Sequence, residues 1–176
     1  MSGKMLVVFV KGTGHVLSAA TVAAAPLAPP VADLVGDALT LWSIPGVVPP
    51  SPSWSFAVPA DALDVAVIDQ KPELLEHPFD WRIGTDKQAA QLQRISQPGP
   101  TVTKTAGPPP TITLDVTPGF KGDGVGALVL EQSGTAPVQV LPSSTTAGVV
   151  TVTYTGNTPT TVLGFIAEFP LAVHFF

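Results

Sequence analysis

The ionisable side chains of the acidic stretch 61–80 are the first candidates for chemistry. Glu73 and His77 are four residues apart and share one face if KPELLEH forms a helical turn, and Asp80 follows nearby. A carboxylate and an imidazole so placed can bind a divalent cation. A complete site needs further ligands that the sequence does not nominate. We therefore predict a solvated acidic loop or short helix, and no metal site.

Catalysis and phosphate binding lack their usual sequence patterns. The chain has no Cys and no G-x-S-x-G elbow, and its histidines, at 15, 77 and 174, lie in unrelated surroundings. The glycine-rich stretch GDGVG (122–126) leads into a strand instead of a helix, and KGTG (11–14) lacks the spacing of a Walker A loop. We predict turns at both stretches, no cofactor and no enzymatic activity.

Aromatic side chains provide an alternative, because exposed rings on a β-sandwich can stack on sugar faces. The candidates are Trp42, Trp54, Trp81 and Tyr154. Each also fits a core position, and Trp54 and Tyr154 lie on the apolar face of their predicted strands. A carbohydrate- or ligand-binding β-sandwich module is therefore the alternative function.

The composition argues against nucleic-acid binding. The net charge is -5, and the eight Lys and Arg residues are scattered, whereas a phosphate backbone is bound by clustered positive charge. The apolar run near the N-terminus, Met5 to Val10, is six residues long and too short for a signal peptide or a membrane span. We expect no signal peptide and no membrane association. We expect synthesis in the cytoplasm, and later incorporation into a particle is compatible with this.

The sequence predicts a mainly β protein. Its 20 Pro and 16 Gly separate short apolar runs, which favours short strands over long helices. In TITLDV, Ile112 and Leu114 alternate with Thr111 and Thr113, the period of a half-buried strand. We predict an antiparallel β-sandwich, immunoglobulin-like or jelly-roll-like, with one or two short helices. In the second half the spacing of turn signals is similar to that of immunoglobulin-like sandwiches.

Three regions are predicted along the chain. Residues 1–95 form a mixed, strand-rich region, with strands in KMLVVFVK, DALTLWSIP and SWSFAVP, a turn at 11–15, and a small-residue segment from His15 that fits a strand or a helix. Thr85 and Gln88 form a capping box, which predicts a helix near 86–95. The Pro- and Gly-rich stretch 96–110 is a linker. Residues 111–176 form an antiparallel sandwich-like region that includes a hairpin turned at Asp123-Gly124.

The C-terminal tail is the most informative feature of the sequence. Its odd positions from Leu163 to Phe175 are all apolar, so one face of a strand needs a core or a partner. Pro170 predicts either two strands or an edge strand with a bulge. The candidate interaction residues are Phe165, Phe169, Phe175 and Phe176, although those on the odd face can equally fill the protein's own core.

These features together predict a non-enzymatic structural or assembly protein. We expect a β-rich subunit or decoration protein of a larger particle, fibre or tail-like complex. Its partners would be itself or other subunits, and we expect a homo-oligomer. The low charge from Gly122 onward, where only Asp123, Glu131 and Glu168 are ionised at neutral pH, favours this interpretation.

Overall fold

The computed structural model describes most of the N-terminal half and the strands of the C-terminal half. The described residues are 3–23, 27–42, 55–84, 91–96, 99, 101–105, 111–115, 125–132, 139–145, 149–153, 161–167 and 169–175. Within them, no helix is both long and apolar enough to span a bilayer.

The described residues form antiparallel strands and a few short helices. The strands are β1 (Lys4–Val10), β2 (Val16–Val22), β3 (Ala38–Trp42), β4 (Ser55–Pro59), β5 (Leu63–Asp69), β6 (Trp81–Gly84), β7 (Gln91–Arg94), β8 (Thr101–Thr105), β9 (Thr111–Asp115), β10 (Val125–Gln132), β11 (Gln139–Thr145), β12 (Val149–Thr153), β13 (Thr161–Ile166) and β14 (Ala172–Phe175). The α-helices are α1 (Val31–Val35) and α2 (Glu73–Glu76), and 3-10 turns cover Ala60–Ala62 and Pro78–Asp80.

The strands assemble into five small sheets. Their orders are β2-β1-β5, β11-β10-β13-β14, β12-β9-β8, β3-β4 and β6-β7. All described pairings are antiparallel. The chain is therefore mainly β, as the sequence predicted.

The N-terminal sheet is built around β1, which pairs on both edges. Met5 lies opposite Thr21 of β2 and Ile68 of β5. Met5, Val7 and Val10 are fully buried, consistent with the continuous apolar run in this strand. The predicted turn at 11–15 is confirmed, and the small-residue segment that follows it is a strand.

Two buried clusters organise the described side chains. The N-terminal core contains Met5, Val7, Val16, Ala66, Ile68, Leu74, Trp81 and Ile83. The shared core contains Val8, Val10, Leu17, Leu41, Phe56, Val58, Leu63, Leu163 and Phe165. Only the shared core includes residues from both halves of the chain, so it joins the C-terminal tail to the N-terminal strands.

Several predicted strands of the N-terminal half are confirmed. KMLVVFVK contains β1, and DALTLWSIP and SWSFAVP contain β3 and β4, which pair with each other. Phe56 and Val58 are fully buried on one face of β4, as their alternation predicted, while Trp54 lies outside the described residues. The tail is also divided as predicted, because β13 and β14 lie on either side of Pro170 and pair as a hairpin.

The predicted helix near 86–95 is wrong where the structure describes it. Gln91–Arg94 is strand β7, paired with β6, and residues 85–90 lie outside the described part. Pairing satisfies the backbone groups of β7 that face β6, and Leu92 packs against the N-terminal core. The Arg82 guanidinium also donates a 2.6 Å hydrogen bond from Nη2 to Gln93 Oε1. These tertiary contacts outweigh the local capping-box signal.

The stretch 96–110 is not a structureless linker throughout. Its central residues, Thr101–Thr105, form β8 and pair with β9, with Val102 opposite Leu114. TVTKT lies between the prolines and contains none, so every residue retains its N–H group, and its β-branched residues favour a strand. The division of the chain into two regions stays a prediction.

The predicted hairpin at Asp123-Gly124 is also wrong. Strand β9 pairs with β8 and β12, whereas β10 pairs with β11 and β13, so the strands flanking this turn belong to different sheets. The turn residues themselves lie outside the described part. A glycine turn between two apolar runs predicts a reversal of the chain, but it does not determine which strand each run will pair with.

Two turn glycines provide a matched test of this fold. Gly12 and Gly14 both have a positive φ, of 77° and 78°, but a Cβ at Gly12 would meet open space and one at Gly14 would meet the Ile83 carbonyl. We expect Gly12→Ala to lower the free energy of unfolding by about 1 kcal/mol, from backbone conformation alone. Gly14→Ala should lower it by at least about 3 kcal/mol, because backbone must also move. Chemical denaturation measures both, and equal losses would contradict the described contact between this turn and β6.

Candidate functional site

The four candidate phenylalanines occupy different environments. Phe165 is fully buried in β13, and Phe169 is 2% exposed in the turn that follows. Phe175 lies in β14 opposite Thr161, and Phe176 is outside the described residues. Phe165 and Phe169 therefore lie in the protein's own core. The sequence allows either this position or a partner contact for residues on the odd-numbered face of the tail. A contact role for Phe175 and Phe176 stays a prediction.

Strand β13 connects the C-terminal sheet to the N-terminal half. It lies between β10 and β14 in the sheet, and its Leu163 and Phe165 side chains are fully buried in the shared core. Leu171, at the end of the following turn, packs against the same cluster. Gly164 and Ile166 are buried as well, so this strand is enclosed on both faces. Leu163, Phe165 and Leu171 of the apolar tail therefore pack against the chain's own N-terminal strands.

His15 is the ionisable residue placed most unusually. It is 1% exposed and follows the turn between β1 and β2. Its Nε2 is 2.6 Å from the Phe169 carbonyl oxygen, and its Nδ1 is 3.0 Å from the Thr13 hydroxyl. The imidazole also makes an edge-to-face contact with the Phe165 ring, with centroids 5.4 Å apart. One buried side chain thus connects the turn between β1 and β2 to the turn between β13 and β14.

These contacts define the tautomer of His15, and its burial defines the protonation state. A carbonyl oxygen can only accept, so Nε2 carries a proton and donates it to Phe169, while Nδ1 of the neutral ring accepts from the Thr13 hydroxyl. Burial lowers the pKa of His15 from 6.5 to about 4; the bond to Phe169 opposes this decrease, and the positive charge of Arg82 adds to it. The imidazole is therefore neutral at physiological pH.

Sequence reasoning missed this role of His15. The sequence predicts a turn at His15, in surroundings unrelated to those of His77 and His174, and the acceptor Phe169 is 154 residues away. The available signal was local: His15 lies between a turn glycine and the apolar pair Val16 and Leu17, so its side chain was a candidate for burial. No pattern in the sequence identifies the carbonyl that it contacts.

The acidic stretch forms the predicted helical turn. Glu73–Glu76 is α2, and the His77 N–H donates to the Glu73 carbonyl over 3.0 Å. Glu73, His77 and Asp80 are all exposed. Among the described residues, His, Asp and Glu side chains do not gather in a group of three that could hold a metal ion.

The sugar-binding candidates are described only at Trp81. Its ring is 8% exposed and packs in the N-terminal core, and the Lys71 ammonium lies 3.9 Å from the ring centroid. Trp81 is therefore a core residue and not an exposed platform. The side chains of Trp42, Trp54 and Tyr154 lie outside the described part, where carbohydrate binding stays a prediction.

A shallow cleft of about 380 Å³ lies where β1, β5 and β7 meet. It is lined by Lys4, Val67, Ile68, Asp69, Gln70, Lys71 and Leu92. Lys4 Nζ and Asp69 Oδ1 form an ion pair at 2.7 Å, and their charges offset each other. Lys71 is the other positively charged residue in the lining of the cleft. The lining offers charged and hydrogen-bonding groups, and it contains no histidine, hydroxyl or thiol side chain.

The chain matches no protein-family model and no curated protein sequence.

The burial of Phe165 can be tested against an exposed phenylalanine. We expect Phe165→Ala to lower the free energy of unfolding by about 3 to 5 kcal/mol, because it leaves a cavity in the shared core. Phe79→Ala is the matched control, since Phe79 is 36% exposed, and it should change the stability by less than about 1 kcal/mol. Denaturant titration followed by circular dichroism measures both. Equal effects of the two substitutions would mean that β13 is not docked as described.

Proposed function

We propose that the protein is a non-enzymatic structural subunit of a larger assembly, such as a particle, fibre or tail-like complex. We further propose that it pairs with a second copy of itself through β14. The observation that supports this most strongly is the position of β14 at the edge of the four-stranded sheet. Within the described residues, β14 pairs with β13 alone. An edge strand presents N–H and C=O groups that another strand can pair with.

The anchoring of β13 supports this proposal. Because Leu163 and Phe165 are buried in the shared core, the strand beside β14 is fixed to the body of the protein. An edge held in this way keeps its backbone groups in the extended conformation that strand addition needs, which lowers the entropy lost on pairing. The sparse charge of the sequence after Gly122 provides little repulsion between two such edges.

The packing also supports a sandwich-like arrangement of the sheets. Residues of β1, β3, β4 and β5 share one buried cluster with two residues of β13. A cluster drawn from separate sheets is what facing sheets produce. We propose that these sheets stack as an antiparallel β-sandwich, with β14 at one rim.

The described side chains support a role without catalysis. Thr13 and His15 form a hydroxyl–imidazole pair, the combination that activates a nucleophile in hydrolases. Thr13 is 2% exposed and His15 is 1% exposed, and Nε2 of the imidazole is occupied by a backbone carbonyl. A substrate cannot reach the hydroxyl, so this pair fits a structural contact.

Proline substitutions at adjacent positions of β14 test the proposal. In an antiparallel pair, alternate N–H groups point to the same neighbour, so of Val173 and His174 one N–H points to β13 and the other points outward. Proline removes a single N–H group. Of Val173→Pro and His174→Pro, one should disrupt the hairpin, and the other should leave the fold intact and block pairing at the outer edge.

Light scattering coupled to size exclusion, with circular dichroism as the folding control, provides the readout. We expect the wild-type chain to be an oligomer and the folded proline variant to be a monomer. A wild-type chain that is monomeric at high concentration would overturn the proposal. A folded proline variant that keeps the wild-type mass would place the subunit contact elsewhere and overturn the role of β14.

A further inference from the structure

The contact between His15 and Phe169 joins two turns that are distant in the sequence. The C-terminal turn is closed by a 3.0 Å hydrogen bond from the Phe169 N–H to the Ile166 carbonyl. The Phe169 carbonyl is then free to accept from His15 at 2.6 Å. Both partners are almost fully buried, so this hydrogen bond forms only when the C-terminal hairpin, 161–175, is docked on the N-terminal sheet.

The docked arrangement suits the neutral imidazole and not the imidazolium. Protonation of Nδ1 would force the Thr13 hydroxyl to turn from donor to acceptor and would place a positive charge in an apolar site. The charged group facing His15 from β6 is Arg82, and it is of like sign. Thr13 on its own turn, and Phe165 and Phe169 on the C-terminal hairpin, carry no charge. Glu168 lies outside the described residues.

We propose that His15 is a pH-sensitive latch, whose neutral ring holds the C-terminal hairpin on the N-terminal sheet and whose protonation releases it. The released imidazole would be hydrated and could bind a proton without penalty. The docked state could not bind that proton without burying a charge that has no counter-ion among the described residues that contact His15. Acid therefore favours the released state by linkage.

The distribution of core residues makes the release local. The N-terminal core contains Met5, Val7, Ile68 and other residues of the N-terminal half, and no residue of the C-terminal hairpin. Release of the hairpin breaks the pairing of β13 with β10, removes Leu163 and Phe165 from the shared core, and leaves the N-terminal core complete. The sheet of β2, β1 and β5 can therefore stay folded after the C-terminal hairpin is released.

The pH range follows from the direction of the shift in pKa. The docked pKa, about 4, is lower than the ordinary value of 6.5, so the contribution of His15 to docking is fully present above pH 6.5 and is lost as the pH falls toward 4. From these two values, opening of the hairpin should become roughly 20-fold more favourable between pH 7 and pH 5. Most exposed carboxylates are still ionised over this interval.

Hydrogen exchange measured by mass spectrometry tests the release in the full chain. Rates are corrected for the intrinsic effect of pH. We expect the protection of peptides covering 161–175 to fall roughly 20-fold from pH 7 to pH 5 in the wild type, while peptides of β5 remain protected. His15→Gln keeps an N–H donor for Phe169 but does not titrate, so its hairpin should lose much less protection. His77→Gln, at an exposed histidine, is the matched control and should behave as the wild type.

Two results of the hydrogen-exchange experiment would overturn the proposal. One is an equal fall in protection in the wild type and in His15→Gln; the other is a fall that includes β5 to the same extent, which would be global unfolding. If His15→Gln does not fold, NMR titration of the wild-type His15 imidazole decides, because an ordinary pKa near 6.5 would contradict the latch. A His15 titration displaced by Glu168→Gln would also contradict it, by showing that a carboxylate pairs with the imidazolium. These readouts are intramolecular, whereas the proposed assembly role is tested separately by the oligomeric state of the wild-type chain.

Discussion

The burial of β13 in the shared core is the constraint on which the rest of the structure depends. Leu163 and Phe165 come from the C-terminal sheet, yet they are enclosed by apolar residues of the N-terminal strands. Full burial of each large apolar side chain contributes roughly 1.5 to 3 kcal/mol. That contribution holds β13 of the four-stranded sheet against the N-terminal strands.

Polar groups limit how this apolar contact can form. A buried imidazole is tolerated only if both ring nitrogens have partners, and His15 finds them in Thr13 and in the Phe169 carbonyl. The same hydrogen bonds that satisfy His15 also fix the position of the C-terminal turn. Apolar packing therefore supplies the stability of the docked hairpin, and His15 supplies its specificity and its dependence on pH.

Local periodicity predicted the elements whose structure is determined by burial of one face or both. The continuous apolar run of β1, the alternation of Phe56 and Val58 in β4, and the division of the tail at Pro170 all correspond to described strands. Prediction failed where pairing with a distant strand decides the structure. The segment Gln91–Arg94 follows a capping box but pairs with β6, and Thr101–Thr105 lies among prolines but pairs with β9. The contact between His15 and Phe169 could not be predicted either, because it joins distant parts of the chain and because a backbone carbonyl has no signature in the sequence.

The most direct test of hairpin docking is the tautomer and environment of His15 at neutral pH. A nitrogen-detected NMR spectrum of the labelled imidazole distinguishes a fixed Nε2–H tautomer from a ring that exchanges freely with water. Docking predicts a single Nε2–H tautomer with a slowly exchanging proton and through-space contacts to the Phe165 ring. A rapidly averaging imidazole with no contact to Phe165 would contradict it, and would mean that the C-terminal strands are not docked against the first turn.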